Sequence, residues 1–124
     1  MPRILYVDDE ADIREIATLS LALDPEFEVR SCGSGAEALA TVDGWQPDLI
    51  LLDVMMPGMD GPTTLAKLRE KPSGTAIPVV FITARTQARE LDRFRALGAV
   101  GIIAKPYDSM QLAQTAKGFL QGAA

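Results

Sequence analysis

The sequence predicts an α/β fold, a doubly wound parallel sheet of five strands with helices on both faces. Short apolar runs of about four residues alternate along the chain with longer amphipathic stretches, the pattern of strands joined by crossover helices. The length of 124 residues suits one domain, and a hydrophobic fraction of 48% is typical of a folded globular chain. We therefore expect a single domain over residues 1–124.

The five apolar runs are the predicted strands. They cover residues 4–7, 27–30, 49–52, 79–82 and 100–104. The second run alternates apolar and charged residues, as an edge strand does, whereas the first and third runs are continuously apolar and suit the centre of the sheet. Right-handed crossovers place helices on both faces. The flavodoxin-like order 2-1-3-4-5 satisfies these conditions and gives a three-layer sandwich, with its site at the carboxyl ends of the first and third strands.

The amphipathic stretches between the runs are the predicted helices. They cover residues 12–23, 34–44, 62–70, 86–97 and 109–120. Pro62 suits the first turn of the third helix, and Gly98 is expected to stop the fourth. Asp9 or Asp12 is expected to cap the first helix, and Gly118 to weaken the end of the last.

Composition excludes several kinds of chemistry. The chain has no histidine and a single cysteine, Cys32, so histidine-based catalysis and histidine or cysteine metal sites are excluded. With 12 basic and 17 acidic residues, a net charge of -5 disfavours direct binding to nucleic acid. No apolar run approaches the roughly 20 residues of a membrane span, and no signal peptide is recognisable. We expect a cytoplasmic protein without membrane contact.

Three carboxylates follow the two central strands. Asp8 and Asp9 come after the first strand, and Asp53 comes after the third. A single acid after a strand is more often a helix cap, but three converging acids repel one another unless a cation lies between them. Because the ligands are oxygens alone, the expected cation is Mg²⁺.

Two further polar residues follow the remaining strands at the same end of the sheet. Thr83 comes after the fourth strand and Lys105 after the fifth. Singly, they would be an ordinary strand-end hydroxyl and a solvated charge. Beside a metal-bound carboxylate they suit phosphoryl transfer, because the lysine and the metal neutralise phosphoryl charge and the hydroxyl hydrogen-bonds a phosphoryl oxygen. Asp53 is then the expected nucleophile, forming an acyl phosphate.

The sequence resembles the receiver domains of two-component response regulators, close to the stand-alone, CheY-like form. The resemblance covers essentially the whole chain. It rests on the acidic pair Asp8 and Asp9, on Asp53 within residues 51–61, on Thr83 with the alanine after it, and on Lys105 with Pro106.

The resemblance implies a role for each of these residues. Asp53 would be the phosphoacceptor, Asp8 and Asp9 would bind Mg²⁺ with Asp53, and the Met55 backbone carbonyl would be a further ligand. Thr83 and Lys105 would contact the phosphoryl group, and the peptide before Pro106 would be cis.

The resemblance also implies partners and a mode of output. The donor would be a phosphohistidine on a sensor histidine kinase or a histidine phosphotransfer protein. The chain would be a single receiver domain without an output domain. It would not be an enzyme, although it would assist its own phosphorylation and dephosphorylation. It would be a monomer or a weak phosphorylation-dependent dimer. Output would run through a downstream protein on the face of helix 4, strand 5 and helix 5, where Arg85, Arg89 and Arg93 form either a docking strip or a solvated face.

One position departs from the family pattern. Ile102 stands where receivers commonly carry a tyrosine or phenylalanine, whose ring moves with the threonine on phosphorylation. We therefore expect switching to run through Thr83 and residues 84–89, without a ring movement.

Other functions explain the sequence less completely. Residues 33–38 fit a dinucleotide-binding fingerprint, but the strand before them has an edge pattern and the strand-end residues stay unexplained; the glycines there more simply turn the chain into the second helix. A phosphatase of the aspartyl-phosphate type would need an acid where Met55 stands. A phosphorylation-independent interaction module would be expected to lack one of the five site residues, and none is missing. A phosphate shuttle or sink stays open.

Overall fold

The sheet has five parallel strands in the order β2-β1-β3-β4-β5, as the sequence predicts. The structure is a computed structural model that describes residues 1–74 and 76–122. The strands are β1 (Arg3–Val7), β2 (Glu28–Cys32), β3 (Leu49–Asp53), β4 (Val79–Thr83) and β5 (Gly101–Ala104). The helices are α1 (Ala11–Leu21), α2 (Gly35–Gly44), α3 (Gly61–Glu70), α4 (Ala88–Ala96) and α5 (Leu112–Gly122), with a 3₁₀ turn, Ser109–Gln111, before α5.

Side-chain alternation along the strands builds two core layers, one on each face of the sheet. On one face, Leu5 and Leu52 pack with buried residues of α2, α3 and α4. On the other, Ile4 and Leu51 pack with buried residues of α1 and α5. Every residue of β3 and β4 is buried, whereas most of β2 is not. This burial confirms β2 as an edge strand and gives the doubly wound three-layer architecture.

The first and last helices differ in detail from the sequence prediction. The expected cap of α1 by Asp9 or Asp12 is wrong, because Glu10 is the N-cap residue and its side chain makes no capping hydrogen bond. The Asp8 carboxylate accepts the Glu10 N–H at 2.9 Å instead. α5 runs from Leu112 to Gly122, so it starts later and ends later than the predicted range 109–120.

Of the two glycines expected to turn the chain into α2, Gly35 has a packing role. Positive φ values, which would mark a turn that needs glycine, occur in the described residues at Gly58 and Gly98 and not at Gly33 or Gly35. Ser34 caps α2 by accepting the Glu37 N–H at 3.1 Å. A Cβ on Gly35 would collide with the Thr64 hydroxyl of α3, so this glycine is needed for close helix packing.

Membrane-spanning structure is not found in the part of the chain that the structure describes. No helix there combines the length and the apolar character that crossing a bilayer requires.

Candidate functional site

The polar residues singled out in the sequence lie at the carboxyl edge of the sheet. Asp53 and Thr83 are the last residues of β3 and β4, and Asp8 and Lys105 directly follow β1 and β5. These strands are parallel, and β1, β3, β4 and β5 are successive neighbours. Their carboxyl ends therefore meet at one place, which is where open α/β sheets bind ligands.

Three carboxylates form a compact cluster there. Asp8, Asp9 and Asp53 each offer an oxygen atom, and these atoms lie within 4.8 Å of one another. Asp8 and Asp53 are 1% and 4% exposed, whereas Asp9 is open to solvent. The Lys105 ammonium lies 3.2 Å from Asp53 Oδ1 and 3.5 Å from Asp8 Oδ2. Lys105 therefore bridges the two buried carboxylates.

Burial and charge shift the titration of Asp53 and Lys105. Burial raises the pKa of the Asp53 carboxyl above its usual range, and the negative charge of Asp8 raises it further. Lys105 and the Met55 backbone N–H lower it in part. Burial lowers the pKa of the Lys105 ammonium, but the two carboxylates outweigh burial and raise that pKa overall. Lys105 is therefore a full positive charge at neutral pH.

The carboxylate cluster fits a divalent cation. Asp8 Oδ1 accepts the Glu10 N–H, but the buried Oδ2 of Asp8 has only the ion pair with Lys105 at 3.5 Å and no hydrogen-bond partner among the described residues. A buried carboxylate oxygen without a hydrogen bond is rare in folded proteins. The neighbouring atoms that could bind a metal are carboxylate oxygens, which are the ligands that Mg²⁺ prefers. The Met55 backbone N–H contacts the Asp53 carboxyl group, and the Met55 side chain is exposed. The Met55 backbone carbonyl stays a predicted metal ligand.

Thr83 presents a hydroxyl at the same edge. The residue is buried, and its Oγ accepts the Arg85 N–H at 3.0 Å. The backbone carbonyl of Thr83 accepts the Lys105 N–H at 2.9 Å, which holds the start of the β5–α5 loop against β4. Because a hydroxyl that accepts one hydrogen bond keeps its own proton, Thr83 can still donate to a ligand oxygen.

The loop after β3 is anchored at the residue that directly follows Asp53. Val54 donates its N–H to the Ile82 carbonyl at 3.1 Å, and Gly61 donates its N–H to the Val54 carbonyl at 2.9 Å. A Cβ on Gly61 would lie 2.6 Å from the backbone oxygen of Asp53, so the chain passes too closely for any side chain there. The loop is therefore held directly against the backbone of Asp53.

The residue pair Tyr6 and Tyr107 was not identified from the sequence. Their hydroxyl oxygens are 2.7 Å apart, joining buried β1 to the segment that follows Lys105 and Pro106. The Lys105–Pro106 peptide bond is cis. Burial raises the pKa of both tyrosine hydroxyls, so both are protonated at neutral pH. A signal was present, since a tyrosine within an otherwise aliphatic central strand needs a partner for its hydroxyl.

Ile102 lies in the core layer against α2, α3 and α4. It is partly buried and is paired with Phe81 across β4 and β5. Phe81 packs edge-on against Phe94 of α4, with ring centroids 5.0 Å apart. The connection from the sheet to α4 therefore runs through this phenylalanine pair.

The basic residues near α4 face solvent. Arg85, Arg89 and Arg93 are exposed, whereas Phe94 on the same helix is buried. Arg93 lies 3.8 Å from the Glu90 carboxylate, an exposed pair of small energetic weight. This leaves a basic surface beside an acidic site.

Comparisons with known proteins agree with this geometry. The family profile described as "Response regulator receiver domain" matches residues 4–117. The response regulator PleD of Caulobacter vibrioides is 46% identical over 114 residues, which cover 89% of this chain and 24% of that protein. A protein-glutamate methylesterase/protein-glutamine glutaminase of Cereibacter sphaeroides is 41% identical over 107 residues, covering 84% of this chain and 28% of that protein. The chain thus spans about a quarter of the length of these two relatives.

Solved structures show the same architecture. The chemotaxis protein CheY4 of Vibrio cholerae superposes with a TM-score of 0.87 at 30% identity, covering 96% of this chain and 98% of that one. The family profile covers most of the chain, and the strand order and the acidic edge agree with it. The chain therefore belongs to the response regulator receiver domain family of two-component signalling.

Proposed function

We propose that the protein accepts a phosphoryl group on Asp53 from a phosphohistidine and signals through changed protein contacts. The observation that carries the proposal is the Lys105 ammonium, held between the carboxylates of Asp53 and Asp8 at the edge where Thr83 also lies. The donor is a sensor histidine kinase or a histidine phosphotransfer protein. Residues 1–124 act in this scheme as one receiver domain.

The chemical step is an in-line displacement at phosphorus. A carboxylate oxygen of Asp53 forms the new bond to phosphorus, and the bond between phosphorus and the donor imidazole nitrogen breaks. The leaving imidazole keeps the electron pair and takes a proton from solvent. The product on this chain is an acyl phosphate.

Two residues of this chain stabilise the transferred group. Lys105 is charged at neutral pH and partly exposed, so its flexible stem lets it follow negative charge from Asp53 to the phosphoryl oxygens. Thr83 donates its hydroxyl proton to another phosphoryl oxygen. Both interactions grow stronger as charge develops on those oxygens.

A divalent cation completes the site. Asp8, Asp9, Asp53 and the backbone carbonyl of Met55 would hold Mg²⁺, and the buried Asp8 oxygen without a hydrogen bond supports this assignment. When bound, Mg²⁺ supplies positive charge that offsets the charge of the phosphoryl oxygens.

The surroundings of Lys105 favour a protein donor. A groove beside Lys105 is lined by apolar side chains of α1, including Ile13 and Ile16, and by Pro106 and Tyr107 of the β5–α5 loop. Ile16 is 52% exposed although it is apolar. An apolar surface next to a reactive edge suits contact with another protein.

The protein acts as a phosphoacceptor and not as a turnover enzyme. A phosphatase that uses an aspartyl phosphate would carry a general acid two residues after the nucleophile, where this chain has Met55. Output then passes to another protein through the face of α4, β5 and α5. A phosphate shuttle or sink would use the same Asp53 chemistry without that contact.

Phosphorylation can be tested by intact-mass measurement with acetyl phosphate or phosphoramidate as the donor. We expect one added phosphoryl group that requires Mg²⁺ and disappears with a chelator and in Asp53→Asn. The matched control is Asp43→Asn, which changes an exposed carboxylate paired with Lys71 and should be labelled as wild type. Labelling that survives in Asp53→Asn would show that the phosphoacceptor assignment is wrong.

A further inference from the structure

A hydrogen bond between two tyrosine hydroxyls connects β1 to the loop that follows β5. Tyr6 is fully buried in β1, within the core layer against α1 and α5. Tyr107 is partly buried and packs against the same layer. Their hydroxyl oxygens are 2.7 Å apart although the residues are 101 positions apart in the sequence.

The two tyrosines flank residues of the acidic edge. Tyr6 lies two positions before Asp8, and Tyr107 lies two positions after Lys105. β3 and β4 separate β1 from β5, so the ladder of the sheet does not join the end of β1 to the loop after β5. The tyrosine pair makes that connection.

The loop that carries Lys105 is therefore held on two sides. On the β4 side, the Lys105 N–H donates to the Thr83 carbonyl at 2.9 Å. On the β1 side, the hydrogen bond between the two tyrosine hydroxyls holds Tyr107. Between these two points the Lys105 ammonium reaches the buried carboxylates at 3.2 and 3.5 Å.

The burial of Tyr6 decides the direction of the hydrogen bond. Its hydroxyl is fully buried, so an O–H without an acceptor would carry the full desolvation cost. Tyr6 therefore donates and Tyr107 accepts. Tyr107 is partly exposed and can give its own proton to water.

We propose that this hydroxyl pair holds Lys105 within reach of Asp53 and Asp8, which makes Tyr6 and Tyr107 positioning residues for phosphoryl transfer. The inference rests on the proposed function of Asp53. Lysine has a flexible stem, so its reach depends on where its backbone is held. A small displacement of a group that contacts the reacting atoms lowers the rate of the chemical step.

The first test uses Tyr6→Phe, which removes one hydroxyl and keeps the ring. With acetyl phosphate and Mg²⁺, the rate constant for labelling Asp53 should fall about fivefold, the size of effect expected from one neutral hydrogen bond. Without any donor, hydrogen exchange at the Lys105 backbone N–H, measured by NMR, should become faster than in wild type. This second measurement reports on the loop alone and does not depend on phosphorylation.

A control variant separates positioning from general stability. Ser20 lies in α1, is buried, and donates to the Ile16 carbonyl at 2.8 Å. Ser20→Ala removes a hydrogen bond from the same helix layer away from the loop. It should lower Tm while keeping the wild-type labelling rate and the wild-type exchange of Lys105 relative to the other amides of the sheet.

A double variant tests whether the two hydroxyls act together. Since either substitution breaks the same hydrogen bond, Tyr6→Phe with Tyr107→Phe should label at the rate of Tyr6→Phe alone. Tyr107→Phe alone should have the lowest Tm of the three, because it leaves the buried Tyr6 hydroxyl without a partner.

The outcomes distinguish this proposal from the proposed function. If wild type is not labelled at Asp53, the proposed function is wrong, and the Lys105 exchange measurement still tests the link. If wild type is labelled and Tyr6→Phe matches it in both rate and exchange, the link does not position Lys105. Additive rate losses in the double variant would also overturn the proposal, because the hydroxyls would then act separately.

Discussion

Asp53 is the residue at which the fold disfavours a charge most clearly. It is almost fully buried beside Asp8, and both effects favour its protonated form. Lys105 and the Met55 N–H favour the ionised form, but the pKa of Asp53 is raised on balance. The fold therefore holds a carboxylate where its charge is unfavourable. Such a group is a better partner for a cation or an electrophile than a solvated carboxylate is.

This balance predicts how Asp53 changes stability with pH. Because its pKa is higher in the folded state, the folded state binds more protons between the unfolded and folded pKa values, and stability falls as pH rises through that window. The neutral side chain in Asp53→Asn does not titrate. In chelator, Asp53→Asn should match wild type at about pH 3 and become more stable than wild type towards about pH 7. Denaturant unfolding across this range measures the difference.

The control for this prediction is an exposed carboxylate. Asp43→Asn breaks an exposed pair with Lys71 and should change the free energy of unfolding by at most about 1 kcal/mol. If Asp53→Asn were clearly less stable than wild type at neutral pH in chelator, Asp53 would be an ordinary stabilising buried carboxylate.

Gly61 packs directly against the backbone of Asp53 and leaves no room for a side chain. An added Cβ would lie 2.6 Å from the Asp53 carbonyl oxygen and 2.9 Å from Val54 Cα, and neither backbone atom can move without shifting the site. Gly61→Ala should therefore lower stability by about 1–3 kcal/mol and slow the labelling of Asp53. Gly44→Ala is the control, because a Cβ there meets open space at the end of α2. Equal melting temperatures for the two variants would contradict the prediction.

Among the helices, α4 is the one most loosely joined to the core. Of its described residues, Phe94 is the buried one, and the N-cap residue Gln87 makes no capping hydrogen bond with its side chain. The helix begins at Ala88, later than the sequence predicts, so the segment after Thr83 is a longer exposed loop. Segments with few buried contacts change conformation at low cost in free energy. We therefore expect the start of α4 to change conformation when the site is phosphorylated.

The loose attachment of α4 predicts which residues change their NMR chemical shifts on phosphorylation. Ile102 has no ring to reorient, so chemical-shift changes on phosphorylation should concentrate in residues 84–89 and depend on the Thr83 hydroxyl. Thr83→Ala should lose the changes in α4, whereas Thr83→Ser, which keeps the hydroxyl, should retain them. NMR spectra before and after labelling provide the comparison. Unchanged α4 shifts in phosphorylated Thr83→Ala would show that coupling takes another route.

At the scale of the whole molecule, the parallel sheet brings distant acids to one edge. The chain already carries a net charge of -5, and three carboxylates meet within 4.8 Å at the ends of β1 and β3. Among the described residues, only the Lys105 ammonium forms ion pairs with this cluster, and it pairs with two of the three carboxylates, Asp8 and Asp53. A cation that binds this cluster in the folded state, and not in the unfolded chain, should stabilise the whole fold by mass action.

Magnesium should therefore raise the melting temperature. For a dissociation constant on the order of 1 mM, ~10 mM Mg²⁺ should add about 1.4 kcal/mol to the free energy of unfolding. Thermal melts of wild type and Asp8→Asn, in chelator and in Mg²⁺ at fixed ionic strength, measure the effect. Asp8→Asn should respond much less, because it loses a buried carboxylate of the cluster. An equal shift in both proteins would indicate a general salt effect instead of this site.

Much of the fold follows from local patterns in the sequence. Apolar runs separated by amphipathic stretches predicted all five strands and their order. The reason is that the residues of a strand show how deeply it is buried. The second strand alternates apolar and charged residues and lies at the edge, whereas the third is continuously apolar and fully buried. The meeting of Asp8, Asp53, Thr83 and Lys105 at one edge was equally predictable, since parallel strands place their carboxyl ends together. Their chemical roles stay predictions.

Only the tertiary structure decided the features that depend on residues far apart in the chain. The need for glycine at Gly35 depends on Thr64 of α3, because a Cβ at Gly35 would collide with the Thr64 hydroxyl. The contact of Tyr6 with Tyr107 joins residues 101 positions apart, and no periodic pattern reports it. Sequence periodicity records which face of an element is buried. It does not record which atoms meet there, because that depends on the packing of several elements at once.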